Sequence, residues 1–482
     1  MPAAVVDHRW KSARDAQQQP ELFATDAPWE LDASRQGWVA VVSLAEAPFG
    51  PFDYLVPEPM VGLLRPGVRL RVPLGRGNRL VGGYCLSVSM ADLPAGGLKP
   101  VAELLDAEPL CDAQLLQLVR WIAVYYRSPI GQVLESVIPA GVRSDAGSQW
   151  HTWLYLTESG RTADGEQLRS PLQQQVLKRL QAQPASDEGG VDQQQLLTEL
   201  GCSTSPIDGL VRQGWLERRR RRLPPGAGPN WKPAVGTDPP AALTADQRIA
   251  LTAIKEAIDS CQHRTLLLHG VTGSGKTEVY MQAIQEVLRL GRQAIVLVPE
   301  ISLTPQTRQR FQARFGEVAV IHSQLSDVQR HALWRRIASG RVPIVIGPRS
   351  AIFAPLPNLG LIMLDEEHES SFKQNTLPRY HARDVALQRA AQQRIPLVLG
   401  SATPSLESWQ RAQSGVYRLL SLPRRIRNRP LPTVTHIDMR RHAGFSVGGV
   451  ISQPLAQALR ETLAAGGQAM LMLNRRGFAT HI

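Results

Sequence analysis

The feature that most constrains this chain is the run Gly270, Val271, Thr272, Gly273, Ser274, Gly275, Lys276, Thr277, a complete GxxxxGK[ST] phosphate loop. It lies between the apolar stretch TLLLHG and the amphipathic segment TEVYMQAIQEVLRLG, so a strand should lead in and a helix lead out. The glycines permit a turn whose backbone N–H groups point at phosphate oxygens, and the following helix adds the positive end of its dipole. Lys276 is placed to neutralise the β and γ phosphates and the Thr277 hydroxyl to ligate Mg²⁺. The ligands read from these residues are ATP and Mg²⁺.

Four further apolar runs, AIVLVP, PIVIG, LIMLD and PLVLG, alternate with amphipathic segments after the phosphate loop. Strands so continuously apolar are buried on both faces, which predicts a parallel α/β sheet with its chemistry beyond the carboxyl ends of the strands. Asp365 ends one such run and is read as the second Mg²⁺ contact, with Glu366 placed to orient or activate the attacking water. His368 is placed to report nucleotide state to the next strand edge, Gly400 to Pro404, where Ser401 and Thr403 offer hydroxyls to the acidic motif.

Ahead of the motor the chain reads as smaller units. Residues 37–141 carry short β-branched runs broken by Gly and Pro, a small β-rich domain. Within it Leu115, Leu118, Val119, Ile122 and Tyr126 fall at helical spacing, and the aromatics of that helix are expected in the core. Residues 142–223 have the order of a winged helix and end in the basic run Arg218 to Arg222, which either grips phosphates or forms a solvated cluster. Six prolines between 224 and 242 mark a linker. A motor lobe follows over 243–430, and 431–482 begins another unit. The first 36 residues are polar, are expected to be disordered, and hold no apolar core of signal-peptide length, so a cytoplasmic protein without a membrane role is expected.

Composition sharpens this only at two points. A formal charge of +12 and a pI near 9.9 favour a polyanionic partner. Cys85, Cys111, Cys202 and Cys261 are far apart, so neither a disulfide framework nor a zinc site is read from them.

Taken in order, GVTGSGKT, VPEISLTPQT, GPRSAIFAP, DEEH and GSATPSLES resemble motifs I, Ia, Ib, II and III of superfamily 2 helicases. That resemblance implies a RecA-like lobe, with Gln247 in LTADQ at the position that contacts adenine. Within the superfamily, DEEHESSFKQNTLPRYHARDVALQRA and GPRSAIFAP are similar to the PriA family (primosomal protein N′) of bacterial replication restart helicases. Phe372, Lys373, Tyr380, His381 and Arg383 fall in that family's aromatic-rich loop, implied to sense single-stranded DNA by stacking and backbone contacts. FDYLVP, RVPLGR and LKPVAELLD resemble the family's module for the 3′ end of a nascent strand, with Phe52, Asp53, Tyr54, Gly75 and Lys99 matching its pocket.

The resemblance spans residues 37–482 and implies a multidomain α/β chain. Its parts are a small N-terminal DNA-binding domain, a winged helix, a RecA-like P-loop lobe and the start of a second RecA-like lobe. It further implies an ATP-dependent 3′–5′ DNA helicase acting on stalled forks, with forked and single-stranded DNA, single-stranded DNA-binding protein and primosome components as partners. The family continues past LMLNRRGFAT with zinc cysteines and motifs V and VI, so the chain is read as truncated, binding ATP but hydrolysing it poorly. The competing reading is a non-enzymatic fragment that binds forks and 3′ ends with an incomplete motor.

Overall fold

Seven parallel strands form the central sheet of the computed structural model, which describes residues 36–94, 96–164, 168, 170–182, 190–223, 239–426, 433–441 and 451–472. The first 35 residues and most of the proline-rich stretch, 224–238, lie outside the described residues, as does the segment 473–482 with Arg476. The chain divides into a unit ending at Ile426 and a unit from Arg427 to Ile482.

The first unit begins with an antiparallel sheet of five strands. These are β1 (Gln36–Leu44), β2 (Phe52–Leu55), β3 (Arg69–Leu74), β4 (Arg79–Asp92) and β5 (Glu103–Leu104), in the order β2-β1-β4-β3-β5. Alternation along β1, β3 and β4 turns Val42, Leu44, Leu70, Val72 and Cys85 into one apolar core. Helices α1 (Ala113–Tyr125) and α2 (Ile130–Val137) follow. The side chain of Asp112 caps α1 by accepting from the Leu115 amide, and its apolar stripe is Leu115, Leu116, Leu118, Val119 and Ile122. That stripe is continuous with the core of the motor lobe, so the two share one apolar cluster.

A smaller part of the same first unit has its own core, built on Leu154, Val176, Leu177, Leu196, Ile207 and Leu210. Its strands β6 (Gln149–Leu156), β7 (Val191–Asp192) and β8 (Leu216–Leu223) enclose helices α3 (Pro171–Gln181), α4 (Gln193–Leu200) and α5 (Ser205–Arg212). Gly201 closes α4 in the left-handed region before the turn into α5. The basic run falls within β8, paired antiparallel with β6. Arg218 bonds Gln193 and Asp208, and Arg219 bonds Glu217.

In the motor lobe, α6 (Ala245–Asp259) precedes β9 (Thr265–Gly270), and α7 (Lys276–Arg289) leads to β10 (Gln293–Leu297). Then come α8 (Pro305–Phe315), β11 (Ala319–Val320), α9 (Asp327–Ala338), β12 (Ile344–Gly347) and β13 (Leu359–Asp365). The lobe ends with α10 (Ala382–Gln393), β14 (Leu397–Ser401), α11 (Leu406–Gln413) and β15 (Arg418–Leu422). The order is β11-β12-β10-β13-β14-β9-β15. Five of these strands match the apolar runs; β11 and β15 add an edge on each side and were not anticipated. β15 is half exposed and alternates, so it lacks the unbroken apolarity of the inner strands. Its backbone nonetheless reaches the phosphate loop, where the Val271 amide donates to the Leu422 carbonyl at 3.3 Å.

In the second unit the described residues form one longer helix, α12 (Gln453–Ala464), capped by Ser452 and with no buried residue. Among all described residues no helix is long and apolar enough to cross a membrane.

Candidate functional site

β9 and β13 are separated in the sheet only by β14, and the register sets Asp365 beside Gly400 and Gly400 beside Leu268. The phosphate loop and the acidic motif thus emerge from the same end of the sheet, where a parallel α/β fold places its ligands. Gly273 and Gly275 have φ of +81° and +82°, backbone that side-chain-bearing residues rarely adopt, and Gly275 caps α7. The first amides of α7, those of Lys276 and Thr277, lack intrahelical partners by construction and point out of the helix start. Lys276 donates from Nζ to the Gly270 carbonyl at 2.9 Å, so the ammonium already lies over the loop.

Thr277 and Asp365 line the same cavity, about 300 Å³, together with Tyr280, Ser302, Thr307 and Arg310. Tyr280 donates its hydroxyl to Asp365 Oδ1 at 3.0 Å. Burial first, then the neighbouring Glu366 charge, pushes the Asp365 carboxyl up, while Tyr280 and Lys276 pull it down. A hydroxyl and a strand-end carboxylate facing one cavity beside a lysine are the donor set that a magnesium nucleotide requires. Glu366 stands in the left-handed region, φ 49°, a strained conformation for a residue with a side chain.

From the acidic motif two networks run onward. His368 Nδ1 hydrogen-bonds Ser401 Oγ at 2.8 Å and its Nε2 approaches Thr403 Oγ1 at 3.5 Å, while the Thr403 amide donates to Ser401 Oγ at 3.0 Å. Glu367, only 1% exposed, accepts from the Ser405 amide (2.6 Å), the Ser405 hydroxyl (3.1 Å), the Ser408 hydroxyl (2.9 Å) and Arg383 (3.3 Å). No role was anticipated for Glu367, Tyr280, Ser405 or Ser408. The available signal was the third acid of DEEH, a carboxylate too close to the strand end to stay in solvent.

Gln247 reaches the phosphate loop, but both ends of its amide are engaged within the chain. Nε2 donates to the Ser274 carbonyl at 2.8 Å and Oε1 accepts from the Thr244 amide at 2.8 Å. It is the N3 residue of a capping box on α6 that also buttresses the loop, so an adenine contact requires one of these bonds to open.

Two expectations about aromatics are corrected. Phe372 and Tyr380 are each 1% exposed, and Tyr380 packs edge-on against Phe353 at 5.1 Å. Stacking on a base needs an exposed face, which neither ring has; apolar burial under the 347–355 segment outweighs it. From the same loop Lys373 is exposed and His381 half-buried. The Arg383 guanidinium is held by Glu367 and Ser405. The converse holds on α1, where Tyr125 is exposed and not core.

In the β-rich domain, Tyr54 is buried in the sheet core, its hydroxyl donating to the Pro73 carbonyl at 3.3 Å, so it too is a packing residue. Phe52 shares that face by strand alternation and packs at its edge. Asp53, Gly75 and Lys99 are exposed. Lys99 Nζ donates to the Gly75 carbonyl at 2.5 Å, and the Leu55 amide donates to the Lys99 carbonyl at 2.9 Å, which brings β2, the β3–β4 turn and the 97–100 loop together.

The DEAD/DEAH box helicase family matches residues 244–412, and the PriA 3′DNA-binding domain (3′BD) matches residues 41–139. The lobe is therefore that of a DEAD/DEAH box helicase, joined to a 3′DNA-binding domain. Replication restart protein PriA of Bacillus subtilis is 36% identical over 90% of this chain and 61% of its own length. That of Haemophilus influenzae is 37% identical over 89% of this chain and 57% of its own. The chain is thus similar to the PriA replication restart proteins along about nine tenths of its length, and it spans about three fifths of the length of these relatives. RecG bound to a three-way DNA junction is similar at 26% identity over 38% of this chain and 24% of its own, with a TM-score of 0.31, too low to bear on the fold.

Proposed function

We propose that this chain is the ATP-binding part of a DNA helicase that translocates 3′ to 5′, recognises stalled or collapsed forks and begins primosome assembly. The observation that carries the reading is the shared cavity of Thr277 and Asp365 beside Lys276, in a lobe that matches the helicase family. Bound Mg²⁺–ATP would supply the phosphoryl bond whose cleavage drives the motor. Lys276 and the first amides of α7 would hold its phosphates, and Thr277 with Asp365 the metal. Glu366 would orient the attacking water, its strained backbone fixing the carboxylate at the end of β13. His368, Ser401 and Thr403 would carry the change of state from β13 to β14.

The fork is read by the 3′DNA-binding domain, where Asp53, Gly75 and Lys99 are accessible to a strand end, and the matching family model supports DNA as the ligand. Single-stranded DNA-binding protein and primosome proteins are the protein partners in this reading. The test is steady-state ATP hydrolysis with and without forked DNA bearing a free 3′ end. DNA-stimulated turnover that is lost in Lys276→Ala supports a working motor. Fork binding without turnover favours a fragment that binds DNA ends and does no work itself.

A further inference from the structure

Packing accounts for one side of α1 and leaves the other unexplained. Leu115, Leu116, Leu118, Val119 and Ile122 face the core, whereas Val124 and Tyr125 are 71% and 57% exposed. On that outer side the rings of Trp121 and Tyr125 are stacked, 4.6 Å between centroids and 17° between planes. Tyr126 stands edge-on to both, at 6.1 Å and 4.8 Å. Trp121 is part-buried against the core and backs the exposed Tyr125 ring, a pre-stacked pair that offers a flat face to which a further ring adds at little ordering cost.

Cations surround this pair. Lys373 Nζ lies 5.4 Å from the Tyr126 centroid, and Arg411 is exposed, bonds the Tyr417 hydroxyl and is close enough to Tyr125 to interact with it electrostatically. Arg127 follows at the helix end and is exposed. The nearby carboxylate, Asp384, is engaged by the Tyr126 hydroxyl (3.3 Å) and by Arg383 Nε (3.6 Å). Lys373 Nζ also donates to the Arg379 carbonyl at 2.5 Å, and aromatic faces flanked by such positive charge fit a single-stranded polynucleotide, whose bases stack and whose phosphates are held.

We propose that Trp121 and Tyr125, with Lys373 and Arg411 beside them, form a base-stacking platform for single-stranded DNA. DNA is the strand chosen because this helix belongs to the segment matching a 3′DNA-binding domain, so the inference rests on the DNA-motor reading. The platform takes over the stacking that buried Phe372 and Tyr380 cannot perform. It is also wired to the motor: the His381 amide donates to the Tyr126 hydroxyl at 3.1 Å, α10 starts at the next residue, and Arg383 in its first turn holds Glu367 of the acidic motif.

The test is fluorescence anisotropy of a labelled oligodeoxythymidylate carrying a 3′ phosphate, which keeps a 3′-hydroxyl pocket out of the measurement, with the full 482-residue chain. Tyr125→Ala should weaken binding by about fivefold to a hundredfold, the range for loss of one base stack, while Tyr125→Phe binds as the unsubstituted chain does. Equal urea midpoints for the three proteins would show that folding is unaffected. Binding unchanged in Tyr125→Ala overturns the platform and leaves the motor reading standing, the face then being one for a protein. Equal weakening by Ala and Phe also overturns stacking. Failure of the unsubstituted chain to bind the oligonucleotide overturns both readings.

Discussion

The hydroxyl of Tyr280 donates to Asp365 across 3.0 Å, and the reach is possible only because residue 400, on the strand between them, is glycine: a β-carbon there would overlap the Tyr280 oxygen. Burial, then the Asp365 charge, keeps that hydroxyl protonated and therefore a donor. Gly400→Ala should destabilise the lobe by roughly 1–3 kcal/mol through overpacking. Tyr280→Phe, which keeps the ring and loses the bond, should cost only about 1 kcal/mol. Urea unfolding of the two variants orders them; an alanine no worse than the phenylalanine would contradict the geometry.

Glu367 joins β13 to the start of α11 through Ser405 and Ser408 and neutralises Arg383, whose side chain is 11% exposed. Glu367→Gln leaves that guanidinium buried without its closest carboxylate and should cost about 3 kcal/mol. Replacing Arg383 by Met in the same chain should restore part of the loss, and a double-mutant cycle on unfolding free energies measures the coupling. Strict additivity of the two substitutions would show that the pair does not act together.

If Phe372 is core, Phe372→Ala should lower stability by about 3–5 kcal/mol, the usual cost of emptying a buried aromatic site. A surface aromatic waiting for a base would leave the unfolding midpoint unchanged. Chemical denaturation separates the two without any DNA present.

His331 on α9 is buried and its Nδ1 meets the Ala146 carbonyl at 3.0 Å, tying the segment that follows the β-rich domain to the motor lobe. Burial lowers its pKa from 6.5, so below that pH the unfolded chain takes up the proton more readily than the folded one. Its stabilising contribution is complete above about pH 6.5 and is lost as pH falls towards the folded value. The fall in unfolding free energy between about pH 7.5 and about pH 5.5 should be smaller in His331→Gln than in the parent.

The sheet of this lobe was legible because its signals are local: the five apolar runs are five of its strands, and GVTGSGKT and DEEH stand out without tertiary context. The edge strands β11 and β15 were not, since a two-residue strand and an alternating edge carry little hydrophobic periodicity. Aromatic exposure differs from the sequence reading at Phe372, Tyr380 and Tyr125, while Trp121 and Tyr126 do pack against the core, and one reason covers the three. Residue type does not tell which face of α1 the core covers, nor that Phe353 of the 347–355 segment closes over Tyr380. Glu367 was invisible for a related cause: its partners Ser405 and Ser408 lie about forty residues on, and only the β13–β14 register brings them near.

The central claim is that Lys276, Thr277 and Asp365 form one magnesium-nucleotide site. Equilibrium titration of a fluorescent ATP analogue, with and without Mg²⁺, tests it most directly in the parent, Lys276→Ala and Asp365→Asn. Mg²⁺-dependent binding that weakens on the order of tenfold or more in Lys276→Ala, and loses its Mg²⁺ dependence in Asp365→Asn, is the predicted result. Binding that ignores Mg²⁺, or that both variants retain in full, would contradict it.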